Sequence, residues 1–250
     1  TMNVVEEPVC TIELGENSKF EKKLISKDLN NKEVTIQLQV KNDEVVNKPT
    51  GEIMLVLDNS DSMNTTVDGT KTRKELIFDS AKTLVSNLLK DNEELKIGIV
   101  SFSTNTDISK EGSSEDANLV SSLSNDISKL NNAISNIKAD GPRTNLESGL
   151  DLASGQFTKT DNNKYMIVLT DGVPNVALNY DKNYYSDDVI SKTKSKLQQL
   201  KQSNINVITM LTGIDDETYI PATTTKSFGE IIEEIFGTTS FTLSSSIIVN

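Results

Sequence analysis

Histidine and tryptophan are absent from the 250 residues of this chain, and cysteine occurs once, as Cys10. The absence of histidine excludes a Ser-His-Asp or Cys-His catalytic group, an imidazole proton shuttle and a zinc site with histidine ligands. A single cysteine excludes a disulfide framework and a cysteine-based metal cluster, and we expect Cys10 to be an inert thiol.

Positive charge is also scarce, because 25 lysine and arginine residues stand against 37 aspartate and glutamate residues, giving a net charge of −12. Nucleic acids and anionic membrane surfaces bind basic patches, so we expect neither as a main partner. No apolar run approaches the length of about 18 residues that membrane insertion needs, and residues 1–30 lack the layout of a signal peptide. The chain is either cytosolic or the mature piece of an exported protein, and composition does not decide between them.

From residue 51 onward, strongly apolar runs alternate with helical segments. The apolar runs predict strands that are buried on both faces, at 53–57, 96–102, 165–169 and 206–211. Helices are predicted at 74–89, 127–137, 145–157, 187–202 and 228–236. Residues 104–124 are expected to hold a short edge strand and a loop. This alternation predicts an α/β fold with a doubly wound, mostly parallel central sheet and helices on both faces.

The first fifty residues have a different pattern. Apolar and polar residues alternate in 33–40, which predicts a strand with one buried face, and 20–26 is its expected antiparallel partner. The apolar segment 241–249 has no place in the alternating series, so we expect it to pair with 33–40 in a small antiparallel sheet outside the main domain. The predicted organisation is an N-terminal β segment at 1–50, an α/β domain at 51–237 and a C-terminal strand at 238–250.

Polar side chains follow two of the apolar runs, and a third polar loop lies between them in sequence. Asp58, Ser60 and Ser62 follow the first run, Asp171 follows the third, and Thr144 lies in a glycine-containing loop before a helix. These five positions, in this order, resemble the von Willebrand factor A (vWA) domain, whose metal-ion-dependent adhesion site (MIDAS) is built from three such loops. The resemblance covers about residues 51–237.

The resemblance implies a site for Mg²⁺, with Mn²⁺ or Ca²⁺ as alternative ions. Ser60 and Ser62 would present hydroxyls to the ion, and Thr144 would supply a third, directly or through a water. Asp58 and Asp171 would lie mainly behind them and hold waters and hydroxyls in place. Because hydroxyls leave the charge of the ion only partly neutralised, the ion would favour an acidic side chain from a protein partner.

Two positions depart from the family pattern. Asp61 stands where the family usually has glycine, and an extra carboxylate there would either tighten metal binding or weaken the attraction for an acidic ligand. Arg143 precedes Thr144 where a small residue is usual, and it would either meet the carboxylate of the ligand or pair with Asp61. Both residues are candidates for ligand binding.

A strand segment placed before the vWA-like part is similar to the layout of Gram-positive pilus-tip and cell-wall-anchored adhesins. We therefore expect an extracellular, non-enzymatic adhesion module within a longer surface protein. Its partner would be a protein that presents a carboxylate, such as host extracellular matrix or a host cell-surface receptor. One alternative is an intracellular vWA subunit that assembles a multiprotein complex. Another is a Mg²⁺-dependent phosphatase with Asp58 as nucleophile, although such enzymes need an acid at the position of Ser60.

Overall fold

The computed structural model describes residues 10–15, 18–28, 33–42, 50–67, 69–90, 92–158, 162–212, 242–243 and 246–249. In these ranges the strands are β1 Cys10–Gly15, β2 Ser18–Asp28, β3 Glu33–Asn42, β4 Gly51–Asp58, β5 Thr66–Val67, β6 Lys71–Thr72, β7 Leu95–Phe102, β8 Ala117–Ser124, β9 Asn163–Thr170, β10 Ile205–Thr212, β11 Thr242–Leu243 and β12 Ser246–Val249. The α-helices are α1 Arg73–Leu89, α2 Ile127–Ser135, α3 Leu146–Ser154 and α4 Asp187–Gln202. The helix predicted at 228–236 lies outside the described residues. Among the described helices, none is long and apolar enough to cross a membrane.

Six strands form the central sheet in the order β11-β10-β9-β4-β7-β8. Every neighbouring pair is parallel except β7 and β8, so the mostly parallel sheet predicted from the apolar runs is confirmed. β4 lies inside the sheet, with Leu55 between Ile99 of β7 and Ile167 of β9, and all eight of its residues are buried. The parallel strands end on one edge of the sheet, where ligands of such folds usually bind.

Helices cover both faces of this sheet. Alternate residues of β4 point to opposite sides, so Leu55 and Leu57 pack with residues of α1 and α2, while Met54 and Val56 pack with residues of α3 and α4. The buried face of α1 includes the apolar positions that the sequence predicts, which are Ile77, Ala81, Leu84, Val85 and Leu88. The helix begins at a capping box, in which Thr72 and Glu75 satisfy each other's backbone N–H groups. The doubly wound fold class is therefore confirmed.

A second sheet has the order β1-β2-β3-β12. β1, β2 and β3 are antiparallel neighbours, as expected for 20–26 and 33–40, and β1 is a further strand that the sequence did not predict. Phe20 of β2 and Leu38 of β3 are buried in the same apolar cluster as the residues of α1. The second sheet therefore shares a core with the α1 side of the central sheet.

The C-terminal strands differ from the prediction in two respects. Ser246–Val249 does pair with β3, with Ile247 beside Ile36, but the pairing is parallel and not antiparallel. Thr242–Leu243 pairs with β10 at the edge of the central sheet, so part of the segment 241–249 does not lie outside it. The prediction of direction was wrong because alternating apolar residues specify which face of a strand is buried but carry no information about its direction. The domain limits at residues 50 and 237 stay a prediction.

Candidate metal centre

Three loops meet at the carboxyl edge of the central sheet, at residues 59–64, 141–145 and 171–176. The backbone N–H of Asp61 donates to the carbonyl oxygen of Gly141 at 2.8 Å, and the N–H of Asn175 donates to the carbonyl oxygen of Thr144 at 3.1 Å. A Cβ on Gly141 would lie 2.2 Å from the Cβ of Ser103, so this close approach requires glycine. The middle loop is therefore fixed between the other two by its own backbone.

Four of the five predicted site residues lie together as two hydrogen-bonded pairs, Ser60 with Asp58 and Ser62 with Asp171, whose hydroxyls are in contact. Asp58 Oδ1 accepts from the backbone N–H of Ser60 at 2.8 Å and from its hydroxyl at 2.6 Å. The hydroxyl oxygens of Ser60 and Ser62 are 3.0 Å apart, and the Ser62 hydroxyl donates to Asp171 Oδ1 at 2.9 Å. The two serine hydroxyls thus lie between the two carboxylates, each hydroxyl held by one of them.

Both carboxylates are buried, Asp58 with 0% and Asp171 with 4% of its surface exposed. Burial, followed by the negative charge of Asp171, raises the pKa of Asp58 from 3.8 to about 7, although hydrogen bonds from Ser60 and Thr170 act in the opposite direction. Burial also raises the pKa of Asp171, and the guanidinium of Arg73 offsets part of that rise. The site therefore concentrates negative charge where water does not stabilise it.

The fifth predicted residue, Thr144, is held by the loop after β9. Its N–H donates to Asn175 Oδ1 at 2.9 Å, and its carbonyl oxygen accepts from the N–H groups of Asn175 and Val176. Thr144 is 5% exposed, and its hydroxyl makes no hydrogen bond to the residues that the structure describes. Asn145, the next residue, caps α3 by accepting from the N–H of Ser148 at 3.1 Å. Thr144 therefore lies directly at the N-terminus of a helix.

The two residues that depart from the family pattern lie apart from each other. Arg143 Nη1 donates to Glu111 Oε2 at 2.6 Å, and its guanidinium carbon lies 4.1 Å from the centre of the Tyr184 ring. Asp61 is exposed at the rim of the site. The sequence left open a pairing of Arg143 with Asp61. In the structure Arg143 instead pairs with the buried carboxylate of Glu111.

Glu111 is the centre of a cluster that the sequence did not indicate. Besides Arg143, its carboxylate accepts hydrogen bonds from the hydroxyls of Tyr180 and Tyr184, and its backbone carbonyl accepts from Lys182 Nζ at 2.7 Å. Glu111 is 4% exposed. The cluster ties the loop after β7 to the loop after β9, and Arg143 ties both to the loop that carries Thr144.

Three more residues support the site directly and were not assigned a role from the sequence. Thr170 donates its hydroxyl to Asp58 Oδ2, Arg73 Nη1 donates to Asp171 Oδ2 at 3.0 Å, and Asn175 holds Thr144. Thr170 could have been found, because it directly precedes Asp171 at the end of a buried strand. Arg73 gives no such signal, since it is 98 residues from its partner.

The donor set suits a hard divalent cation. Among the described residues, no group of three or more His, Cys, Asp or Glu side chains is placed to hold a metal, and the predicted set has only two carboxylates. Its other members are hydroxyls, and an all-oxygen set that leaves room for waters is what Mg²⁺ takes. The buried carboxylates provide the negative charge that such an ion would compensate. Ser60, Ser62 and Thr144 would hold the ion, with Asp58 and Asp171 behind them.

Comparison with known proteins identifies the fold. The family model of the von Willebrand factor type A domain matches residues 53–173. Among solved structures, the pilus adhesin SpaC from Lactobacillus rhamnosus GG has a TM-score of 0.62 and 18% identity, and the match covers 94% of this chain and 34% of that chain. The VWA domain of SpRpn10 has a TM-score of 0.51 and 14% identity, with 79% of this chain and 91% of that chain covered.

A third structure is proximal thread matrix protein 1 from the mussel byssus with a zinc-occupied MIDAS motif. Its TM-score is 0.52 at 17% identity, and the match covers 78% of this chain and 44% of that chain. Curated proteins give no match. At these identities the structural likeness concerns the fold alone, and the fold is that of the vWA domain. The chain spans 34% of the length of the pilus adhesin.

Proposed function

We propose that this chain is a non-enzymatic binding module of a bacterial surface or pilus-tip adhesin. In this proposal a divalent cation, Mg²⁺ first, lies among Ser60, Ser62 and Thr144 and binds an acidic side chain of a protein ligand. The observation that carries the proposal is the pair of serine hydroxyls, 3.0 Å apart, of which Ser60 donates to Asp58 and Ser62 donates to Asp171. When both buried carboxylates are ionised, they carry one negative charge more than the guanidinium of Arg73 balances, and a bound cation would compensate it.

The residues of the chain have separate roles in this proposal. Asp58 and Asp171 accept from the serine hydroxyls and so orient the hydroxyl lone pairs toward the ion position. A bound Mg²⁺ would supply the positive charge that attracts the ligand carboxylate. Thr144, at the N-terminus of α3, adds the positive end of a helix dipole at the same place. The positive charge of the ion and the N-terminus of α3 would both favour an incoming anion.

The ligand would approach at the exposed rim of the site. Asp61 is exposed, and Arg143 is only partly exposed because Glu111 and Tyr184 hold it. The bond to Glu111 fixes the guanidinium of Arg143 beside the loop that carries Thr144, and the carboxylate of Glu111 balances its charge. Asp61 adds negative charge to the rim and would select against ligands with more than one acidic group. The proposed partner is therefore a protein that presents a single carboxylate.

The second sheet favours a surface adhesin over an intracellular assembly subunit. The match to the pilus adhesin leaves only 6% of this chain uncovered, which is fewer residues than β1, β2 and β3 contain. The match to the VWA domain of SpRpn10 leaves 21% uncovered. The match to the adhesin thus extends into the part of this chain that holds β1, β2 and β3. We therefore propose an extracellular location, with the chain as part of a longer surface protein.

The phosphatase alternative has no support in the geometry. Asp58 is fully buried, its Oδ1 accepts from Ser60, and its Oδ2 accepts from Thr170. A carboxylate that attacks a phosphorus atom must be reached by the substrate, and the buried side chain of Asp58 is not open to one. The position that would hold a catalytic acid is Ser60, which is itself bonded to Asp58. A phosphatase assay on a generic phosphate ester should accordingly give no turnover with Mg²⁺ present.

Calorimetric titration with Mg²⁺ and Mn²⁺ tests the proposal. We expect Asp171→Ala to bind either ion about 10- to 100-fold more weakly than the parent, the usual effect of losing a residue that orients metal ligands. The matched control is Asp79→Ala, the same substitution at an exposed aspartate of α1, which should bind as the parent does. Binding to an array of matrix and cell-surface proteins, with and without chelator, then identifies the ligand. Equal metal binding by the parent and Asp171→Ala would refute the site assignment.

A further inference from the structure

Arg73 brings a positive charge into the proposed site. It is the first residue of α1, and its Nη1 donates to Asp171 Oδ2 at 3.0 Å. The Asp171 side chain is 0% exposed and that of Arg73 is 16% exposed, so water screens this pair only weakly. Asp58, in contrast, accepts its hydrogen bonds from hydroxyls and an N–H group, which carry no formal charge. Only one of the two carboxylates is thus paired with a cation among the described residues.

The fold fixes Arg73 in this position. Its backbone N–H donates to the carbonyl oxygen of Thr65 at 3.0 Å, which anchors it to the segment after the metal loop. Thr72 and Glu75 close the capping box around it, with the Thr72 N–H donating to Glu75 Oε2 at 2.8 Å. The residue is therefore not a surface arginine that happens to reach the site. Its backbone is held on both sides, and its side chain has a defined partner.

The formal charges show what this arginine does. With both carboxyls ionised, Asp58 and Asp171 contribute −2 and Arg73, paired with Asp171, contributes +1, which leaves −1. A divalent cation would bring this total to +1, and an incoming carboxylate would bring it to zero. Without Arg73 the same ion would already bring the total to zero. The arginine thus weakens the attraction for the metal and strengthens the attraction of the loaded site for an anion.

We propose that Arg73 tunes the site by opposing metal binding, so that the bound ion keeps a net positive charge for its ligand. This inference rests on the proposed metal site. Arg73 does not contact the ion position in this account but acts through Asp171. Its effect is therefore electrostatic and should follow the charge at position 73 more than the shape of the side chain.

Mg²⁺ titration of the metal-free protein tests the inference, with the ion alone as the probe. We expect Arg73→Gln to bind Mg²⁺ about tenfold more tightly than the parent, because a unit charge near a divalent ion is felt strongly in a poorly screened site. Arg73→Lys keeps the charge and should stay within about threefold of the parent. Lys82→Gln removes a charge from the same helix, at a residue paired with the exposed Asp79, and should leave the affinity unchanged.

Thermal unfolding gives a second measurement on the same variants. Without metal, Arg73→Gln leaves Asp171 beside Asp58 with no cation, so the melting temperature of the variant should be lower than that of the parent. Added Mg²⁺ should raise the melting temperature of the variant by more than it raises that of the parent. If Arg73→Gln folds at no Mg²⁺ concentration, or binds Mg²⁺ more weakly than the parent, Arg73 serves to orient Asp171 and the inference is wrong. If the parent itself does not bind Mg²⁺, the proposed function fails first.

Discussion

Replacing Asp58 by asparagine should stabilise the metal-free protein at alkaline pH. In the folded chain the pKa of Asp58 is raised from 3.8 to about 7, chiefly by burial. Because the folded state holds the proton more tightly than the unfolded chain, this group destabilises the fold progressively as pH rises from 3.8 to about 7. At 1.36 kcal/mol for each pKa unit, the full loss is about 4 kcal/mol. An asparagine side chain at this position does not ionise and would avoid that loss.

One hydrogen bond reduces this gain. Thr170 donates to Asp58 Oδ2 and would have to accept from an amide instead, a change that costs about 1 kcal/mol. Near pH 8 the free energy of unfolding of Asp58→Asn should therefore be about 3 kcal/mol larger than that of the parent. This value is the gain from the pKa difference minus the cost of the altered hydrogen bond. Near pH 5 the Asp58 carboxyl of the parent is mostly protonated in the folded state. The difference in stability between Asp58→Asn and the parent should therefore shrink by about 2–3 kcal/mol.

Urea unfolding in the presence of EDTA, at these two pH values, measures the effect. Asp79→Asn is the control, because Asp79 lies exposed on α1 and its pKa is lowered rather than raised, mainly by a hydrogen bond from Lys82. Near pH 8 the Asp79→Asn variant should be no more stable than the parent. Added Mg²⁺ should stabilise the parent and not Asp58→Asn. A parent that is more stable than Asp58→Asn near pH 8 without metal would refute the view that the site carries uncompensated negative charge.

Three further substitutions separate the parts of the site. Thr144→Ala should weaken binding of the protein ligand by about 1.5–3 kcal/mol, the scale of a hydrogen bond to a charged group, with a smaller loss of Mg²⁺ affinity, while Thr144→Ser should resemble the parent in both titrations. Glu111→Gln removes the charge that holds Arg143 and should lower the free energy of unfolding in urea by about 1–3 kcal/mol. Gly141→Ala forces its Cβ against Ser103, so we expect a similar loss of stability, about 1–3 kcal/mol, and weaker Mg²⁺ binding by calorimetry.

The central sheet could be predicted from the sequence because its strands are long and apolar throughout. All eight residues of β4 are buried, and only a strand covered on both faces gives such a run. The helix α1 was predictable for a similar reason, since its stripe of apolar positions spans three turns. Short elements carry no comparable pattern, and the two-residue strands β5 and β6 contain too few residues to show a period.

The site could be predicted only in part. The carboxyl ends of neighbouring parallel strands lie at the same edge of a sheet. This placement brings together the residues at the ends of two buried strands, which are Asp58, Ser60 and Asp171. Glu111 and Arg73 follow no such rule. Glu111 is 32 residues from Arg143 and lies in a loop, so its burial depends on the path of three loops. Packing between the loops determines that path, and such packing leaves no periodic pattern in a single sequence.

The most direct test of the metal-dependent site is a crystal structure of the protein with Mn²⁺, using the anomalous signal of manganese. The account predicts a single strong peak bonded to the hydroxyl oxygens of Ser60 and Ser62, at about the 2.0–2.2 Å typical of small divalent cations, with Asp58 and Asp171 hydrogen-bonded behind them. A protein fully loaded with Mn²⁺ whose peaks all lie away from these two hydroxyls would contradict it.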